Sequence, residues 1–225
     1  NQGRTGRCWM FAGLNLFRAD SKNLLNVKQT EFSQNYMMFW DKIEKSNFFL
    51  ENIIETSTEP YNSRLIMHLV ENPIQDGGQW DMFVNLIRKY GVVPQTEMPE
   101  SFQSSKSMRM NRMITRKLRE FSKTLRDAHN KGKDLTTLHR MKKEMLAVVY
   151  QMLVIHLGTP PDWFDWQIRD KDKTFHRFEN LTPKRFFSDH IDLKLDDYVC
   201  LINCPMSDKT YNEVYTVKYL GNVLE

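Results

Sequence analysis

The chain has 225 residues, of which 40% are apolar and 27% charged, with a net charge of +4 at pH 7. A chain of this length and apolar content can bury one large core or two modest ones, so a globular protein is expected. No run approaches the roughly 20 apolar residues a membrane span needs, and no basic-then-apolar leader is seen. Three widely spaced cysteines, Cys8, Cys200 and Cys204, imply no disulfide framework and argue for a reducing compartment. The chain begins on Asn1 rather than Met, so an upstream segment is expected.

The first stretch, Gln2 to Phe17, puts a cysteine on the hinge between a loop and a helix. The run Gly3-Arg4-Thr5-Gly6 resists helix formation, whereas Trp9 to Phe17 is apolar on nearly every side except Asn15, which suits a buried helix. Cys8 then falls in the first helical turn. Unpaired backbone N–H groups and the positive end of the helix dipole favour a thiolate there. Residue spacing alone also allows a buried, inert cysteine at this position.

A polar connector, Asp20 to Lys28, precedes a second helix start at Ser33, whose hydroxyl suits an N-cap. Phe32, Tyr36, Trp40 and Ile43 recur at helical spacing, followed by Phe49, Ile53 and Ile54, so a long helix or a broken pair runs to about Glu55. The aromatic and methionine cluster Tyr36 to Trp40 belongs to an interior helix face. Thr56 to Asn62 is a loop, and Arg64 to Val70 a short helix. Asn72, Pro73, Asp76, Gly77 and Gly78 make a turn, and Gln79 to Tyr90 forms a helix closed by Gly91. The two adjacent glycines either permit a tight turn or leave bare backbone that can pair with an extended peptide.

From Val92 to Gln103 the chain is extended or looped, with Pro94 and Pro99. Ile114, Leu118, Phe121 and Leu125 then form one apolar stripe, and Leu138, Met141, Met145, Val148 and Met152 a second. With Gly132 and a capping residue between Asn130 and Asp134, they predict an antiparallel helical hairpin with arms Ser107–Ala128 and Leu135–His156. Positive charge concentrates here: Lys106 to Lys143 holds thirteen Lys and Arg against three Asp and Glu, a net of +10, while the remainder carries −6. Such a face can bind nucleic acid through its phosphates. A solvated or subunit-contacting face is the better reading, because no aromatic residues interleave with the charges for base stacking.

Beyond Gly158, Trp163 to Trp166 is extended, and a polar turn covers Asp170 to Lys173. Thr182 and Pro183 start a short helix that runs to His190, and Tyr198–Asn203 and Val214–Leu220 are strand-like. Cys200 and Cys204 form a C-x3-C pair that lacks a second pair or a neighbouring histidine, so a metal or redox centre is weakly supported. No cofactor or metal is called for.

A cysteine peptidase needs a thiolate, an imidazole, a residue that orients the imidazole, and donors for the oxyanion. The Gln2 amide and the Cys8 backbone N–H are candidates for the donors. The string Gln2, Gly6, Arg7, Cys8, Trp9, Phe11 resembles the active-site segment of papain-like cysteine peptidases. Six ordered blocks narrow the resemblance to the bleomycin hydrolase branch: Asn1–Phe11, Phe32–Lys42, Asp76–Met82, Lys89–Pro94, Arg169–Lys173 and Tyr215–Leu220.

The resemblance spans essentially the whole chain and implies an α+β, papain-like fold, predominantly helical in this portion. It divides the chain into a helix-rich half of the catalytic domain (1–103), a helical hairpin insertion acting as a subunit hook (104–157), and the start of the strand-bearing half (158–225). It implies that Cys8 is the nucleophile, Gln2 the oxyanion-hole amide, and Gly77 and Gly78 backbone partners of a bound peptide. It further implies a cytoplasmic aminopeptidase assembled as a hexamer. In this family the catalytic histidine and asparagine lie well downstream, in a second half that these residues do not contain. None of the six histidines fits the role, so this chain alone is expected to be inactive.

Overall fold

A computed structural model describes residues 3–24, 26–27, 30–191, 193–199, 201, 203 and 206–213; for residues 19–24 it describes the backbone only. Eight α-helices, a 3-10 turn at Leu195–Asp197 and one two-stranded sheet are found among these residues. Helix α1 spans Cys8–Leu24, α2 Gln34–Glu55, α3 Arg64–Glu71 and α4 Trp80–Tyr90. Helix α5 covers Phe102–Ser105, α6 Met108–Asn130, α7 Leu135–Leu157 and α8 Pro183–His190. Strands β1 (Phe164–Arg169) and β2 (Phe175–Leu181) form an antiparallel hairpin between α7 and α8.

Helix α2 is the central member. Its apolar residues leave no solvent face: Tyr36, Met37, Met38, Phe39, Leu50 and Ile53 are all buried, and so are Asp41, Lys42, Glu44 and Lys45. Ser33 caps it as expected, accepting from the Tyr36 N–H at 3.0 Å. The Tyr36 to Trp40 cluster is core, with Trp40 stacked on Tyr90 at 4.0 Å between centroids and Tyr36 Oη donating to the Tyr90 carbonyl at 2.8 Å. Helix α1 joins this core through Phe17, whose ring meets Phe83 of α4, Phe187 of α8 and Phe32.

The helical hairpin forms with each arm one residue longer than expected, the first starting one residue later and ending two later, and Asp134 caps the second arm by accepting from the Thr137 N–H. Helix α7 packs against α2 as well as α6: Asn35 Nδ2 donates to the Leu157 carbonyl at 2.8 Å, and Phe39 meets Tyr150 edge-on. That second partner rotates the buried stripe of α7 from the expected one. Leu138, Met145, Val149, Leu153 and Leu157 are buried, while Val148 is exposed and Met141 and Met152 are half-buried.

Three other expectations need correction. Helix α1 continues to Leu24, because an established helix propagates through polar residues of ordinary propensity without needing apolar ones. At the end of Val92–Gln103, expected to be extended or looped, Ser101 to Ser105 closes into a short helix through a reciprocal Ser101–Ser104 capping box. The described residues of Tyr198–Asn203 are not in a strand. Val214–Leu220 lies outside the described residues.

The hairpin β1–β2 places Trp166 against Phe178 and Phe186, anchoring α8, whose Thr182 cap and Pro183 start match the expectation. Gly91 lets α4 end against α8. Its φ is +73°, and a Cβ there would stand 2.3 Å from Pro183 backbone atoms, so no other residue fits. No described helix is long and apolar enough to cross a membrane.

Candidate active site

Cys8 is the first residue of α1 and its side chain is exposed. Its neighbours in sequence are anchored instead. The Arg7 side chain is buried, and its guanidinium grips Glu100 bidentately at 3.1 and 2.9 Å while Nε donates to Thr5 Oγ1 at 3.0 Å. The Arg7 carbonyl accepts from the N–H groups of Met10 and Phe11, which fixes where α1 begins. On the other side, Trp9 Nε1 donates to the Asp76 carbonyl at 2.8 Å. The Trp9 ring lies where a side chain on Gly78 would be, since a Cβ there would come within 2.5 Å of it. Gly6 N–H donates to the Asp76 carboxylate at 3.3 Å. The thiol is thus held in a fixed relation to the Asp76–Gly78 loop by residues that flank it.

That loop rests on buried charge. Lys42 Nζ donates to Asp76 Oδ1 at 2.7 Å and to the Gln75 carbonyl at 3.0 Å. Asn111 Nδ2 donates to Asp76 Oδ1 at 2.7 Å, and Ser107 Oγ donates to Oδ2. Lys45 Nζ donates to Asp41 Oδ2 at 2.9 Å, to the Gln75 carbonyl at 2.7 Å and to the Gly77 carbonyl at 2.6 Å.

The electrostatics follow. Burial would push the Asp76 carboxyl up, but the Lys42 ammonium and the hydrogen bonds from Lys42, Ser107 and Asn111 outweigh it and hold Asp76 well below the usual carboxylate range. Burial pushes Asp41 up against the pull of Lys45 and Lys42. It pushes the Lys45 ammonium down to about 8, against the pull of Asp41.

The candidate residues fare differently. Gly77 and Gly78 stand beside the cysteine segment, Gly78 under Trp9 and Gly77 with open space at its Cβ position. Gln2 lies outside the described residues, as do Cys200 and Cys204. Among the described residues no histidine bonds to Cys8. His176 pairs with Asp170 at 3.0 Å on the β-hairpin, His139 stands 3.6 Å from Glu51, and His190 packs among Phe178, Phe186 and Trp166. No group of three or more His, Cys, Asp or Glu residues that could hold a metal occurs among the described residues.

Residue patterning missed Arg7, Glu100, Asp41, Lys42 and Lys45. One signal was available: α2 carries Asp41, Lys42, Glu44 and Lys45 on a helix whose apolar positions already cover every face, so some charge had to be buried and paired.

The family model described as the Peptidase C1-like family matches residues 1–225, the whole chain. The chain belongs to the Peptidase C1-like family. It is 51% identical over 224 residues to "Aminopeptidase C" of Listeria innocua, covering 100% of this chain and 50% of that protein. It is 40% identical over 228 residues to "Bleomycin hydrolase" of Homo sapiens, again covering 50% of that protein. The crystal structure of PepW from Lactobacillus rhamnosis matches with a TM-score of 0.95 at 46% identity, over 99% of this chain and 50% of that one. The chain therefore spans about half the length of the relatives described here, and its α+β architecture is that of the family.

Proposed function

We propose that these 225 residues are the nucleophile-bearing part of a cysteine aminopeptidase. The observation that carries the reading is Cys8: exposed at the start of α1, braced on both sides against the Asp76–Gly78 loop, in a chain that matches the peptidase family from end to end. Cys8 Sγ attacks the carbonyl carbon of the N-terminal peptide bond, and the resulting oxyanion takes hydrogen bonds from the Gln2 amide and the Cys8 N–H. Collapse breaks the C–N bond, and the departing amine takes its proton from an imidazole. Water then attacks the thioester, releasing the amino acid and restoring the thiol. The Gly77–Gly78 backbone pairs with the peptide. The imidazole and its orienting residue come from polypeptide outside these 225 residues, because none of the described histidines is bonded to Cys8 and the relatives are about twice as long.

The complete protein is proposed to act in the cytoplasm as a homohexamer, with α6 and α7 contributing subunit contacts. A secondary role in nucleic-acid binding is favoured by one feature, a groove of about 450 Å³ lined by Arg112, Thr115, Arg116, Arg119, Glu120 and Lys123.

The central test uses an aminoacyl-coumarin substrate. The complete enzyme turns it over, Cys8→Ala lowers turnover at least about a thousandfold, and the 225-residue chain alone shows none. Turnover by the isolated chain, or by Cys8→Ala, would overturn the assignment.

A further inference from the structure

The Gly77–Gly78 peptide unit is the part of the loop with least steric resistance to turning over. Neither residue has a side chain, and a Cβ on Gly77 would meet nothing within 4 Å. Its carbonyl is nevertheless held. Lys45 Nζ donates to the Gly77 carbonyl at 2.6 Å, to the Gln75 carbonyl at 2.7 Å and to Asp41 Oδ2 at 2.9 Å, which engages all three N–H groups of an ammonium. A trans peptide is planar, so the Gly77 C=O and the Gly78 N–H point in opposite directions. A carbonyl turned onto buried Lys45 therefore turns the Gly78 N–H away from the interior. That is the side from which an extended peptide can approach.

The surrounding groups make the lock rigid. Asp41 neutralises Lys45 from the same helix, while Lys42 and Asp76 pair beside it and fix the Gln75 carbonyl that Lys45 shares. Trp9 covers Gly78 from α1 and stands with its ring centroid 5.4 Å from Lys45 Nζ.

We propose that Lys45 is a positioning residue for the substrate: its ammonium locks the Gly77–Gly78 peptide plane so that the Gly78 N–H is presented to a backbone carbonyl of the bound peptide. Lys45 touches no substrate itself. The proposal rests on the peptidase function proposed above.

The test is Lys45→Met in the complete enzyme, which keeps most of the unbranched side chain and removes its donors. KM for a tetrapeptide substrate should rise about tenfold, the weight of roughly one substrate hydrogen bond, with kcat within about twofold. Alkylation of Cys8 by iodoacetamide should keep its native rate, because the hydrogen bonds that anchor Gly6, Arg7 and Trp9 do not involve Lys45. An unchanged KM in a folded Lys45→Met protein overturns the proposal, and so does a matching loss of alkylation, which would mean general disruption of the site. If circular dichroism shows that Lys45→Met does not fold, Asp41→Asn, which preserves the shape of the pair, takes its place. It should raise KM about threefold with kcat unchanged, and an unaltered KM overturns the proposal equally. Absence of turnover in the native complete enzyme would overturn the peptidase function as well, whereas turnover with an insensitive KM removes the role of Lys45 alone.

Discussion

At Asp76, one carboxylate accepts from Gly6 in the loop before α1, from Lys42 in α2, and from Ser107 and Asn111 at the start of α6. Asp76→Asn keeps the shape and removes the charge, leaving the fully buried Lys42 ammonium without its counter-ion. The loss should be about 3–5 kcal/mol at pH 7, the usual cost of breaking a buried ion pair. The sign with pH is fixed by the lowered carboxyl. A group whose folded pKa lies below its unfolded one, 3.8 here, contributes stability that is complete above the unfolded value and lost as pH falls toward the folded value. The difference in urea-unfolding free energy between native and variant should be full at pH 7 and narrow steadily below about pH 4. A gap that stays constant down to pH 3 would show that the charge of Asp76 is not what stabilises the loop.

Among the elements, α2 does most to place the site, because it carries Lys42 and Lys45 on one side and meets α6 and α7 on the other. Its start is set by Ser33, which accepts from the Tyr36 N–H, donates to the Met98 carbonyl and, through its own N–H, holds the Val93 carbonyl at 2.9 Å. Ser33→Ala removes the cap and leaves a buried carbonyl short of a donor, so chemical denaturation should show a loss of about 1–2 kcal/mol. A change below about 0.5 kcal/mol would mean that the cap is redundant with the α2 packing. Elements were legible where local chemistry is decisive: Ser33, Asp134, Thr182–Pro183 and Gly91 mark the ends of their helices as read. The α5 turn and strand β2 were not. The first depends on a reciprocal serine pair, and the second, Phe175–Leu181, alternates too weakly to identify itself without β1 beside it.

Over the whole molecule, charge is divided between a basic hairpin and an acidic remainder, and folding uses part of that division. Lys142 pairs with Glu51 of α2. Arg126 donates to the Thr56 and Glu59 carbonyls, and Arg119 to those of Val70 and Glu71. These residues tie the hairpin to α2 and α3 rather than to a ligand. Arg112 and Arg116 remain beside Arg119 in the groove on α6, where Lys123 pairs with Asp127. If that groove holds single-stranded nucleic acid, log K should fall against log salt with a slope of about −1.5 to −2, as expected for two or three phosphate contacts. A flat response would leave the basic face to subunit contact.

The family was legible through the resemblance of ordered blocks spread over the chain, and the place of the cysteine at a helix start through local chemistry that acts over one or two turns. The sequence also marked Gly77 and Gly78 as a turn, with backbone open to an extended peptide as the alternative. How that loop is held depends on the packed fold. Gly6, Lys42, Lys45, Asp76 and Asn111 are up to 105 residues apart, and although the crowded faces of α2 imply that some of its charge is buried, the sequence does not say which partner each side chain meets. The direction of one peptide plane beside Cys8 follows from where Lys45 ends, and that position exists only once α2 has packed beneath the loop.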